Sequence, residues 1–64
     1  MTWNYRVMSK DGQLAIYEVF YKNEEVVGST AEPVTLRADS IEEMKEESVR
    51  YLAALELPIL EFED

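Results

Sequence analysis

Along residues 2 to 8, TWNYRVM, large apolar and polar side chains alternate, with Trp3, Tyr5 and Val7 on one side and Asn4, Arg6 and Met8 on the other. Aromatic and β-branched residues at period two predict a half-buried strand. SKDG follows, and its Asp11-Gly12 pair is a hairpin signal because glycine takes positive φ without steric cost. Residues 13 to 21, QLAIYEVFY, put Ala15, Tyr17, Val19 and Tyr21 on one face and Leu14, Ile16, Glu18 and Phe20 on the other. Both faces are largely apolar, which predicts a central strand covered at least in part on both sides. After the polar turn KNEE, the run VVGST predicts a short third strand, with Gly28 marking a bulge or a close approach of backbone. AEPVTLRA reads as an irregular link, since Pro33 has no N–H to donate and holds Glu32 extended.

The period then changes from two to that of a helix. In ADSIEEMKEESVRYLAAL, residues 38 to 55, Ser40 is an N-cap with Glu43 three positions on, a capping box, although Asp39 serves equally well as cap. Glu42 and Glu43 lie at the positive end of the helix dipole. Ile41, Met44, Ser48, Tyr51, Leu52 and Leu55 form the expected apolar stripe, while Glu43, Glu46, Glu47 and Arg50 are expected in water. Ser48 is small enough to let the helix lie close to a sheet, and Glu46 and Arg50 are spaced as an i,i+4 ion pair. The helix should end by Glu56, because Pro58 disfavours helical backbone at Leu57. In the tail LPILEFED, Ile59, Leu60 and Phe62 predict a short last strand or edge packing before an acidic, fraying end.

The order is therefore strand, strand, strand and helix, with or without a short last strand. It predicts one α+β domain over residues 1–64: a three- to four-stranded antiparallel sheet with one amphipathic helix on one face. One helix covers one sheet face, and the pattern leaves open which. Whichever is chosen, large apolar groups stay outside, and a contiguous patch of that kind marks an interface. Trp3, Tyr5, Leu14, Ile16, Glu18 and Phe20 are the candidate interface residues.

Charge and chemistry narrow the reading further. The formal net charge is −8, from 6 basic and 14 acidic residues. Such a surface repels phosphate backbones and anionic lipid, so neither nucleic acid nor membrane is the expected partner. The charge either keeps the chain dispersed or faces a basic protein partner, and a small core also favours self-association as a homodimer. Trp3, Tyr5, Tyr17 and Tyr21 resemble a base-stacking platform in composition but lack its ring of Lys and Arg. With histidine and cysteine both at 0, the serines have no customary base, and a zinc staple is excluded. KDGQ lacks the alternating oxygen ligands of a calcium loop, and EFED is no more than a loose acidic end, so no metal or cofactor is expected. Glu18, flanked on its own face by Ile16 and Phe20, is the one acid with a catalytic alternative: a partly buried carboxylate working with tyrosines as a ligand or enzyme site. The plainer expectation is that it pairs with Arg6 across the hairpin and that the chain is not an enzyme. No apolar run approaches a membrane span and MTWNYRVMSK lacks a secretory layout, so the expected compartment is the cytoplasm.

The succession YRVM, DG, AIYEVFY and DSIEEMKEESVRYLAALELPI resembles the small HicB-type antitoxin domain. Asp39, Ser40, Glu42, Glu43, Tyr51, Leu52, Leu55 and Pro58 match the outline of that family's helix. The resemblance implies the strand–strand–strand–helix fold, an acidic partner-binding surface and dimer formation. The family's Pro-Asp-Leu-Pro-Gly-like stretch is matched only by Pro33, and its C-terminal DNA-binding segment has no counterpart here. The start Trp3-Asn4-Tyr5-Arg6 is also similar to a family of small bacterial proteins that open with those four residues, a likeness that brings no functional expectation.

Overall fold

The computed structural model describes residues 1–63. Strands β1 (Thr2–Lys10), β2 (Gln13–Lys22) and β3 (Glu25–Ser29) form an antiparallel meander, followed by helix α1 (Ile41–Leu55) and the short strand β4 (Leu60–Glu61). The sheet order is β3-β2-β1-β4, which makes β2 an internal strand as expected. The sheet is mixed rather than wholly antiparallel. The helix returns the chain across the sheet before β4, so β4 runs parallel to β1, with Met8 opposite Leu60 and Ser9 opposite Glu61.

Both hairpin turns are two residues long. Lys10 pairs with Gln13 around Asp11 (φ 54°) and Gly12 (φ 80°), and Lys22 pairs with Glu25 around Asn23 (φ 53°) and Glu24 (φ 66°). Positive φ at both central positions is the type I′ geometry, whose twist matches the flanking strands. Asp11, Gly12 and Asn23 suit it; Glu24 carries the left-handed penalty of a residue with a full side chain. In β3 the register slips between Phe20 and Tyr21, which face Gly28 and Val26 and leave Val27 as the bulged residue. A Cβ at Gly28 would meet nothing within 4 Å, so the bulge, not a close approach, is what this position marks.

The link after β3 keeps to the edge of β2. Thr30 N–H donates to the Glu18 carbonyl (2.9 Å) and Val34 N–H to the Ile16 carbonyl (2.8 Å), with the Pro33 turn bowed out between them. The link is irregular, as its sequence predicts, yet Val34, Leu36 and Ala38 are half-buried while Thr35 and Arg37 are exposed. Its Val-Thr-Leu-Arg-Ala alternation carries that signal in the sequence.

The helix begins and ends where its sequence predicts. Ser40 is extended (φ −148°, ψ 162°) and its hydroxyl accepts from the Glu43 N–H at 3.2 Å. The Glu43 carboxylate reaches one residue further back than a standard capping box and accepts from the Asp39 N–H at 3.1 Å. At the other end the N–H groups of Glu56 and Leu57 bond to the Ala53 and Ala54 carbonyls, tightening the last turn before Pro58.

Register assigns the faces. Trp3, Tyr5, Val7 and Ser9 share one face with Phe20, Glu18, Ile16 and Leu14; Asn4, Arg6 and Met8 share the other with Val19, Tyr17 and Ala15. Helix α1 packs on β1, on the Trp3–Tyr5 face. A cluster of buried side chains nevertheless lies on the opposite face: Met8, Tyr17 and Val19, with Ala15, Tyr21, Leu60 and Phe62 packed around them. That face closes by its own long side chains. Phe62 lies 5.2 Å from the Tyr17 ring, and Lys10 Nζ sits 4.4 Å from the centre of Phe62. Arg6 donates to the Tyr21 hydroxyl at 2.9 Å and to the Pro58 carbonyl at 2.7 Å, and its Nε is buried, so its side chain lies flat on the sheet. Tyr21 in turn donates to Asn4 Oδ1 at 2.8 Å. A guanidinium held at both ends turns the stem of Arg6 into part of the apolar cover.

Two substitutions test these local readings in opposite directions. Glu24→Gly should raise the unfolding free energy by about 0.5–1 kcal/mol, because relief of the left-handed penalty exceeds glycine's entropy cost. Ser40→Ala should lower it by about 1 kcal/mol through loss of the cap. Urea denaturation checks both, with a shift in midpoint at unchanged slope as the expected result.

Candidate interaction surface

Tyr5 organises the contact between helix and sheet. Its hydroxyl donates to Glu47 Oε2 at 2.9 Å. The Tyr51 ring stands edge-on to it at 4.9 Å and 82°, and the Trp3 ring does so at 5.3 Å and 69°. Arg50 completes the group, 3.7 Å from Glu47 and 6.0 Å from the centre of the Trp3 ring. The ion pair of Arg50 is thus i,i+3 with Glu47, not i,i+4 with Glu46, because Glu47 has turned inward to accept from Tyr5. This also corrects the expectation that Glu47 faces water; it is half-buried.

The helix is rolled to suit. Met44, Glu47, Ser48, Tyr51 and Ala54 face the sheet, with only Ala54 fully buried. The Ser48 hydroxyl bonds back to the Met44 carbonyl at 2.8 Å and so needs no partner on the sheet. Half of the predicted stripe therefore lies outside: Ile41, Leu52 and Leu55 are each more than 60% exposed, and Val49 joins them at 66%. Sequence spacing missed Glu47 and Ala54 because neither is a large apolar residue. The only available signal was their place in the register of Met44 and Tyr51.

The six candidate interface residues all lie on the face that carries the helix. Trp3 and Leu14 are exposed; Tyr5, Ile16, Glu18 and Phe20 are half-buried. Tyr5 is engaged by Glu47 and Tyr51 within the chain. Glu18 stands opposite Tyr5 in the β1–β2 ladder, whereas Arg6 stands opposite Tyr17 on the other face. The expected Glu18–Arg6 pair across the hairpin is therefore absent: adjacent ladder positions point to opposite sides of a pleated sheet. For the same reason Tyr17 and Tyr21 are not available to a site built on Glu18, and Tyr5 and Tyr51 are the tyrosines on its side.

Electrostatics makes Tyr5 a donor and little else. Burial first, then the hydrogen bond to Glu47 and the negative charges of Glu47 and Glu18, push its phenol from 10.0 up to about 12. Tyr51 is raised too, by burial and by the same two carboxylates. A phenol held protonated through neutral pH acts as a fixed hydrogen-bond donor, not as a general base.

Two open grooves flank these elements. One, of about 430 Å³, runs between Trp3 and Tyr5 on the sheet and Arg50, Ala54 and Leu57 on the helix side. The other, of about 470 Å³, lies on the far face between Met8, Val26, Ser29, Leu60 and the acids Glu61 and Glu63. Among the described residues no group of three or more acidic side chains is set to hold a metal ion, and no helix is long and apolar enough to cross a membrane. No family model matches the chain, and neither does any curated protein or solved structure.

The raised phenol has a stability consequence. Between pH 10 and about 12 the unfolded chain ionises Tyr5 while the folded chain does not, so stability should be whole below pH 10 and fall through that window. The expected loss from this group is roughly 1–3 kcal/mol. Tyr5→Phe should remove that alkaline component and lower stability near neutral pH by about 1.5–3 kcal/mol, since a hydrogen bond to a carboxylate is lost. Denaturation curves measured from pH 8 to 12 for both proteins decide it.

Proposed function

We propose that this chain is a small acidic protein-interaction module that binds a basic protein, with a layout like that of HicB-type antitoxins. The observation that carries the reading is the exposed apolar side of α1. Ile41, Val49, Leu52 and Leu55 stand in water on a chain of net charge −8. A strongly charged small protein gains nothing in its own fold from four such side chains, and an exposed patch of this kind belongs to an interface. The order strand, strand, strand, helix, short strand is the one the antitoxin resemblance implies. A cytoplasmic setting belongs to the same reading.

The alternative of a ligand or enzyme site at Glu18 has less support. The Tyr5 hydroxyl beside it is already committed to Glu47, and two of the four tyrosines are on the wrong face.

Affinity capture of the tagged chain from its native lysate, with nuclease treatment, tests the reading. The expected result is one stoichiometric basic protein whose recovery falls as salt rises from about 0.05 M to about 0.5 M, where the screening length drops severalfold. Recovery of the bait alone at low salt would overturn it.

A further inference from the structure

We propose that the exposed side of α1 is a seat for one amphipathic helix of a partner, with its apolar stripe bordered by Lys or Arg. The inference rests on the interaction reading above and deepens it by naming the surface and the occupant.

The spacing argues for a helix. Ile41, Lys45, Leu52 and Leu55 follow one another at intervals of four, seven and three along α1, Ser48 between them being turned to the sheet. That is the repeat of a seam read by a second helix, whereas a strand or an irregular peptide has no use for it. Val49 widens the seam on its solvent side. Ile41, Val49, Leu52 and Leu55 are between 61% and 66% exposed. Together they hold on the order of 450 Å² in water, within the range of a small protein's largest apolar patch. Lys45, mid-seam, is the kind of lone polar position that sets register.

The flanks argue for the partner's charge. On the inner flank of the seam, Met44 and Tyr51 turn toward the sheet, so no second helix enters there. The outer flank carries Glu42, Val49 and Glu56, and the last turn of the helix holds no basic residue. A partner stripe bordered by Lys or Arg would meet those acids with opposite charge. A second copy of this chain would not. Two copies of α1 packed antiparallel about Val49 set each Glu42 against the other copy's Glu56, on top of the repulsion between two chains of −8.

The probe is a synthetic 21-residue peptide with Leu at the seam positions and Lys on both flanks, whose own charge keeps it monomeric; its control has Glu in place of Lys. Binding is measured by titration calorimetry and by mapping amide shifts in the labelled protein. The Lys peptide should bind and shift Ile41, Val49, Leu52 and Leu55; the Glu peptide should bind at least about tenfold more weakly. The variant Leu52→Glu/Leu55→Glu should also lose at least about tenfold, although it adds negative charge that would strengthen plain electrostatic adsorption. Its positions are exposed and glutamate is a good helix former, so the fold is retained. Leu14→Glu, with one added negative charge on the sheet face, should bind as the parent does.

Three results would overturn the proposal: no binding of the Lys peptide, undiminished binding to the Leu52→Glu/Leu55→Glu variant, or shifts centred on Trp3 and Leu14. A dimer of the parent chain in sedimentation that the double variant abolishes would assign the seam to a second copy instead, which also overturns it. Lysate capture separates the two levels. A basic protein held equally by parent and double variant leaves the interaction reading standing and removes the seam from it; no capture by the parent removes the reading itself.

Discussion

The hydrogen bond from Tyr5 to Glu47 sets how the helix lies on the sheet. A half-buried phenol needs an acceptor, and a carboxylate brought against an aromatic cluster needs donors. Satisfying both turns Glu47 inward, and everything on the helix rotates with it. Met44, Tyr51 and Ala54 follow Glu47 to the sheet; Ile41, Val49, Leu52 and Leu55 are carried into water. A roll chosen by apolar burial alone would have placed the leucines inward and left Glu47 solvated. The polar contact and the aromatic edges around Tyr5 lie on the inner side of the helix, and the exposed seam lies beside them.

The opposite face shows how a chain of 64 residues manages with a single helix. It builds its tightest cluster, Met8, Tyr17 and Val19, where no helix lies. The cover comes from long side chains: Tyr21 and Arg6 joined by a hydrogen bond, and Phe62 brought over Tyr17 by β4. β4 is only two residues long, yet its parallel pairing with β1 and the Phe62 N–H to Ser9 carbonyl bond at 2.9 Å anchor that ring. The helix is thereby released from covering both faces and is free to present a side of its own.

Much of the local structure was legible because it rests on near-neighbour chemistry. The Asp-Gly turn, the two faces of β2, the Ser40 cap and the end of the helix before Pro58 all follow from residues a few positions apart. The six candidate interface residues fall on one sheet face, since strand alternation and turn length dictate that register.

By itself, then, the sequence determined the order of the elements, the start and end of the helix, which side chains share a strand face, and a net charge of −8. The direction of β4, the face the helix covers and the helix's roll were decided only in the tertiary structure. Each depends on contacts between residues tens of positions apart: Tyr5 with Glu47, Arg6 with Pro58, Ser9 with Phe62. No local periodicity encodes such pairs. Hydrophobic spacing measures how apolar a stripe is, but which stripe goes inward depends on the polar groups waiting beneath it, and here that group was a single tyrosine hydroxyl.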